Sequence, residues 1–307
     1  MSKLAFVFPG QGSQKVGMLQ GWGKELSGTF ELASEVLGYD LWKLIQDGPV
    51  ERLNQTEYTQ PAVLTSSLAM WFIAKERGAA PDLVAGHSLG EYAALVAAEV
   101  VSFEVAVSLV QKRGQLMQSA VPIGKGGMAA ILGLEDENVV EICRTCAGAD
   151  ILEAANFNSP GQVVIAGHTE AINRALEACN AAGAKRAIVL PVSAPFHCRL
   201  MEPAAAEMAT ILNDTCLSEP TIGLLQNVDA HYARTTEHIR ANLVAQMSKA
   251  VLWTPIVQHM VKDGVDVIVE CGPGSVLSGL NRRIDKSVST LGISSEKEMG
   301  AVMERII

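Results

Sequence analysis

Basic charge is in short supply in this chain: 24 Lys and Arg stand against 33 Asp and Glu, for a formal net charge of −9. Protonating all six histidines leaves it negative. That excludes a uniformly basic nucleic-acid binder, which neutralises phosphates with clustered cations. Long apolar runs are missing too. The run Leu4 to Phe8 ends after five residues at Pro9, too short for a signal-peptide apolar region or a membrane span. There is no charge block, no low-complexity tract and no internal repeat. Among the six cysteines, the pair Cys143-x-x-Cys146 has no second pair at metal spacing, so reduced thiols are expected rather than a zinc site or a disulfide framework. After Gly10-x-Gly12, Lys15 stands where a dinucleotide fingerprint needs its third glycine. What the chain does have is 49% hydrophobic residues and a mean hydropathy of +0.22, enough for a large buried core. These features together predict a soluble, acidic, cytoplasmic α/β protein without membrane contact.

Short apolar runs, Gly-containing turns and long amphipathic stretches recur in that order. Leu4 to Phe8, Leu83 to Ala85 and Val265 to Val269 read as buried strands, each closed by a glycine turn. Tyr92 to Val101 is apolar almost all round, which predicts a helix buried on most sides. Strands alternating with helices imply a mostly parallel sheet covered on both faces. The segment from about Gly126 to Ser193 departs from this pattern. It reads strand (128–132), helix (135–146), strand (151–156), strand (162–166), helix (170–182) and strand (186–190), with Asn158-Ser159-Pro160-Gly161 as a turn. That βαββαβ order is ferredoxin-like. The predicted organisation is a catalytic core of residues 1–124 and 195–307, with an inserted subdomain at 125–194.

Gly86-His87-Ser88-Leu89-Gly90 matches G-x-S-x-G between a strand and a helix. Chance matches are common in a Gly-rich chain, but the flanking elements favour a nucleophile elbow. There a sharp turn exposes the serine hydroxyl and leaves the first helical N–H groups facing a developing oxyanion. Serine needs a base, and six histidines are available: His87, His168, His197, His231, His238 and His259. His87 adjoins the nucleophile, while His238 and His259 lie in polar helical stretches and are expected to be solvated. His197, in the irregular segment Ser193 to Cys198, is the favourite, although spacing alone does not choose it over His168 or His231.

One arginine stands out of place. In the helical stretch Ser102 to Val121, Arg113 lies four residues from both Leu109 and Met117 and belongs to the buried stripe. A charge there needs an anionic partner or a stem that snorkels to water. An internal acid is the ordinary explanation. If the helix runs beside the serine, the guanidinium fork instead suits a substrate carboxylate.

Together these residues resemble the malonyl-CoA:acyl carrier protein transacylases of bacterial fatty acid synthesis. The resemblance runs from end to end. It rests on Phe8-Pro9-Gly10-Gln11-Gly12-Ser13-Gln14, Thr59-Gln60-Pro61, Gly86 to Tyr92, Lys112-Arg113-Gly114, Asn156 to Gln162, Pro195-Phe196-His197 and Glu270 to Gly274. It implies an α/β-hydrolase-like core carrying a ferredoxin-like subdomain. By the same resemblance, Ser88 carries the acyl group, His197 is its base and Arg113 holds the malonyl carboxylate. The backbone N–H groups of Gln11 and Leu89 form the oxyanion hole, and a backbone carbonyl at Gln246 orients the histidine in place of an Asp. Phe196, Asn156 and His87 line the pocket. The resemblance further implies malonyl-CoA as donor, acyl carrier protein as a transient acidic partner, no cofactor or metal, and a monomer.

Three rival readings share some of these features. A serine esterase or thioesterase would use the same elbow with water as acceptor. A stand-alone polyketide acyltransferase would share every motif and differ in its carrier, and a non-catalytic carrier-binding module would keep only the fold. For a chain as acidic as its carrier, docking calls for a local basic patch. Lys185-Arg186 and Arg282-Arg283-Lys286 are the candidates, with ordinary solvated surface charge as the alternative for each.

Overall fold

The structure is a computed structural model that describes residues 3–307. Among the described residues nine strands form two sheets: β1 (Lys3–Phe8), β2 (Leu83–Gly86), β3 (Gly126–Leu132), β4 (Leu152–Ser159), β5 (Gln162–His168), β6 (Arg186–Val189), β7 (Gly223–Leu225), β8 (Val265–Cys271) and β9 (Ser289–Ile293). The first sheet has the order β7-β2-β1-β8-β9 with every pairing parallel. Its central strand is apolar from Leu4 to Phe8 because both of its faces are covered there. Phe6 and Phe8 pack edge-on against Trp71 on one side. Ala5 and Val7 share the opposite core with Trp253, Ile256 and Val257. The second sheet has the order β4-β5-β3-β6 with every pairing antiparallel, the ferredoxin-like arrangement. Helices Asp136–Ala147 and Thr169–Ala181 bury one face of it over Ala129, Ile131, Val163 and Ile165. The opposite face, with Met128 and Val164, joins the main core and looks into a cleft.

Local chemistry explains most element ends. Ser102 caps helix Phe103–Ser119 by accepting from the Val105 N–H at 3.3 Å. Helix Gly90–Ala97 is buried along its whole length, a little earlier and shorter than the expected Tyr92 to Val101. Strand β4 runs on to Ser159, so only Pro160-Gly161 turn the hairpin, with Gly161 at φ +71°. The expected four-residue turn gives way to this two-residue one because register shifts at Ala154/Asn156 and Phe157/Ser159 absorb the extra residues. Between β1 and β2, helix Thr56–Glu76 is buried on nearly every side and carries Pro61 inside it. Among the described residues, no helix is long and apolar enough to cross a membrane.

Candidate active site

Two glycines make the serine turn possible. A Cβ on Gly86 would lie 1.9 Å from the Gly90 backbone, and one on Gly90 would lie 2.1 Å from the Phe8 carbonyl oxygen. With no side chain at either position, strand β2, helix Gly90–Ala97 and strand β1 close on one another. Ser88 is left at the apex with φ +53°, a left-handed conformation that costs a non-glycine residue about 1 kcal/mol. Asn227 fastens this turn. Its Oδ1 accepts from the Ser88 N–H at 2.7 Å, and its Nδ2 donates to the Gly86 carbonyl at 2.6 Å. The Ser88 N–H is therefore spent on structure. The N–H groups of Gln11, in the turn after β1, and of Leu89 find no acceptor among the described residues.

His197 Nε2 lies 2.7 Å from Ser88 Oγ, and Nδ1 lies 2.7 Å from the Gln246 carbonyl oxygen. A carbonyl only accepts, so Nδ1 carries the proton and Nε2 is the free lone pair that accepts from the serine hydroxyl. His197 also has a left-handed backbone, at φ +62°, and its own N–H donates to the Met247 carbonyl. Burial, with the Arg113 charge as a second cause, pushes its pKa down to about 3. The ring is thus neutral and ready to take a proton.

Arg113 emerges from helix Phe103–Ser119 behind the serine and is 1% exposed. Among the described residues it makes no hydrogen bond to an acid, contrary to the ordinary explanation for a buried arginine. Its Nη1 donates to Gln60 Oε1 at 2.8 Å, and its Nη2 donates to Gln246 Oε1 at 2.8 Å and to Ser88 Oγ at 3.2 Å. The Tyr92 ring lies 5.6 Å from its guanidinium carbon, and its Nε–H has no partner. Neutral amides thus solvate the cation without neutralising it, which keeps its charge available to an incoming anion. The nearest carboxylate, Glu91, is one amide away. It accepts from Gln246 Nε2 at 2.7 Å, Gln226 Nε2 at 3.2 Å and the Asn227 N–H at 3.2 Å. Burial pushes its pKa up to about 7 against these donors and the Arg113 charge.

The cleft in front of Ser88 is lined from the core by Gly10, Gln11, His87 and His197 and from the antiparallel sheet by Met128, Asn156, Asn158 and Val164. Phe196, Val276 and Leu280 are among its other lining residues. Ser88, His197, Gln11, Phe196, Asn156 and His87 thus meet at one cleft, Leu89 follows the serine, and Arg113 and Gln246 stand behind it. His87 turns away from the serine, with Nε2 2.8 Å from Asn158 Oδ1. Of the other histidines, His168 packs against Asp150 and His231 is exposed. His238 and His259 are half-buried, not solvated as expected: each meets a carboxylate that folding brings to it, Asp229 at 3.0 Å and Asp263 at 3.7 Å. Gln60, Asn227, Glu91 and the Gln246 side chain were not anticipated as site residues. Gln60 and Glu91 lie inside the quoted motifs, while Asn227 carries no local signal. Among the described residues there is no group of three or more His, Cys, Asp or Glu able to hold a metal ion.

This geometry has relatives. Residues 5–302 match the acyl transferase domain family. The malonyl CoA-acyl carrier protein transacylase of Escherichia coli K12 is 49% identical over 99% of this chain and 100% of its own length. The solved structure of the Coxiella burnetii malonyl CoA-acyl carrier protein transacylase superposes with a TM-score of 0.98 at 43% identity, covering 99% and 98% of the two chains. A malonyl-transacylase solved with its type II PKS acyl-carrier protein superposes equally well, at 47% identity over 99% and 100% of the chains. The chain belongs to the acyl transferase domain family, among the malonyl CoA-acyl carrier protein transacylases.

Proposed function

We propose that the protein moves malonyl from malonyl-CoA to the phosphopantetheine thiol of acyl carrier protein, supplying fatty acid elongation. Ser88 Oγ attacks the thioester carbonyl while His197 Nε2 takes its proton. The tetrahedral oxyanion, held by the Gln11 and Leu89 N–H groups, collapses. The C–S bond breaks, the CoA sulfur leaves with the proton from His197, and malonyl remains on Ser88 as an ester. The carrier thiol then attacks that ester by the reverse path, returning the proton to Ser88. One thioester replaces another, so the exchange asks for no metal, cofactor or energy source and is ping-pong. The Gln246 carbonyl holds the His197 tautomer through both halves, doing the orienting work an Asp does in a triad.

The observation that carries the malonyl assignment is the buried Arg113 guanidinium 3.2 Å from Ser88 Oγ without an acid bound to it. A carboxylate two bonds beyond the reacting carbonyl can reach such a cation. The apolar wall opposite suits the uncharged arm that delivers it. For the carrier, Arg282 and Arg283 lie in the last turn of the helix whose Val276 and Leu280 line the cleft, and Arg283 donates to Gln162 Oε1 on β5. That supports this cluster, with Lys286, over Lys185-Arg186 as the docking patch. We further assign residues 125–194 as the inserted subdomain of a monomeric, cytoplasmic enzyme.

The test is to mix the protein with malonyl-CoA alone, quench within seconds and weigh the intact protein and its peptides. A malonyl adduct on the Ser88 peptide, discharged by holo carrier protein and formed far more slowly with acetyl-CoA, is the expected result. Free malonate and CoA with no lasting adduct would make the protein a hydrolase instead. No adduct and no turnover would leave a binding module.

A further inference from the structure

Arg113 owes its place to Gln246, and Gln246 owes its orientation to something else. Its terminal amide has an acceptor end and a donor end, and reversing it would aim N–H groups at a guanidinium that is itself only a donor. Nothing in the Arg113 contacts prevents this reversal except repulsion. The opposite end does prevent it: Nε2 donates to Glu91 Oε2 at 2.7 Å and to the Ser88 carbonyl at 2.9 Å. Glu91 receives three N–H donors and faces no acceptor for a carboxyl proton, a pattern that suits an ionised, acceptor-only carboxylate. The second oxygen is fixed in turn by Gln226, whose own Oε1 accepts from Asn242 Nδ2 at 3.0 Å. Each amide in this buried row has one permitted orientation because a carboxylate sits in the middle of it.

We propose that Glu91 is the positioning residue that makes this site malonyl-selective, acting through Gln246 to hold Arg113 beside Ser88. The inference rests on the malonyl-transfer reading above. Glu91 touches neither substrate nor reacting atoms. It decides which end of the Gln246 amide faces the guanidinium. With a neutral amide at position 91, one of its two ends must present N–H groups either to Gln246 and Asn227 or to Gln226, all of which donate. The row must then break or flip at some member. A flip at Gln246 releases Arg113, and with it the geometry that favours a carboxylated acyl group over acetyl. The acetyl group makes no use of the guanidinium and serves as the internal reference.

The experiment compares the unmodified chain, E91Q, Q246A and the double variant E91Q/Q246A at pH 8. The rate of acyl-enzyme formation is followed by intact mass with malonyl-CoA and, separately, acetyl-CoA, and thermal melts report folding. E91Q is expected to lower the malonyl-to-acetyl ratio of kcat/KM at least tenfold. Q246A should do the same, and the double variant should be no worse in that ratio than Q246A alone, within threefold. A merely structural role for Glu91 would depress both substrates alike and leave the ratio unmoved, and that result overturns the inference. Multiplying effects in the double variant overturn it too, because Glu91 would then act by a route other than Gln246. If E91Q does not fold, Q246A decides: an unchanged ratio with Glu91 in place removes the relay. Should the unmodified chain take no malonyl, the failure belongs to the functional reading and not to Glu91.

Discussion

The two walls of the cleft are built on opposite principles. The core side is a polar lattice in which Arg113, Gln60, Gln246, Glu91 and Asn227 are buried and hydrogen-bonded to one another or to Ser88. The antiparallel-sheet side meets the same cleft with Met128 and Val164 from its strands and Leu190 and Val192 from the segment after them; its polar contribution is the pair Asn156 and Asn158. A charge inside a protein is expensive and direction-sensitive, whereas an apolar wall is cheap and tolerant of shape. Chemistry that needs exact placement therefore sits on the core packed around the parallel sheet, and the surface that merely excludes water can be delegated to the antiparallel sheet.

That contrast can be broken by mutation. The largest effect should come from Ser88→Ala, which removes the acyl acceptor; we expect a loss of malonyl transfer on the order of a thousandfold or more, with no adduct by mass spectrometry. Next is Arg113→Ala. Leaving a malonyl carboxylate buried and unpaired costs about 3–5 kcal/mol, so malonyl transfer should fall a hundredfold or more while acetyl transfer is kept or gained. Equal loss of both would place the selectivity elsewhere. At the other wall, Val164→Ala should raise KM for malonyl-CoA only a few-fold, on the scale of about 1 kcal/mol for a trimmed apolar side chain. A hundredfold effect there would erase the distinction between the walls.

Two stability measurements sharpen the comparison. Glu270 is a second buried carboxylate, but it accepts from the Leu277 and Ser278 N–H groups at 3.0 and 2.6 Å and so anchors the start of helix Val276–Ile284. Glu270→Gln should cost about 1–3 kcal/mol in denaturant unfolding and leave the malonyl-to-acetyl ratio unchanged, in contrast to Glu91→Gln. The pH dependence of stability isolates His197. Its folded pKa lies near 3, below its unfolded value of 6.5, so between those limits the unfolded chain binds the extra proton. The contribution is therefore present above pH 6.5 and lost as pH falls through that window. Relative to His197→Ala, the unmodified chain should lose up to ~1.4 kcal/mol per pH unit on acidification in that range, measured by melts at matched ionic strength.

The Ser88 turn and the stray Arg113 were legible in the sequence because each leaves a local trace, a turn of fixed spacing and a charge on an apolar stripe, and the irregular segment around His197 made it the favourite among the histidines without excluding the others. The strands around Ser88 and the βαββαβ order were legible for the same reason, since period and punctuation are local. What supports the site was not. Gln60 meets Arg113 across 53 residues, Asn227 meets Ser88 across 139, and Gln246 meets Glu91 across 155. Amides carry no periodic signature, and their partners exist only after the core has closed. Helix Thr56–Glu76 escaped notice for a related reason: a helix buried on nearly every side has no polar face to set its period.

Both members of the proposed dyad, Ser88 and His197, sit at positive φ. The chemistry we propose rests on residues the backbone would rather not hold, and the fold meets that cost from its general reserve of stability. Ser88→Gly would keep the Asn227 clasp, which uses only the backbone N–H, and would relieve the left-handed strain. Set against Ser88→Ala, which loses the same Oγ hydrogen bonds to His197 and Arg113, the glycine variant should melt higher by the few degrees that about 1 kcal/mol represents. In that sense the enzyme is a slightly spoiled version of a more durable protein, and its activity is the reason the spoilage persists.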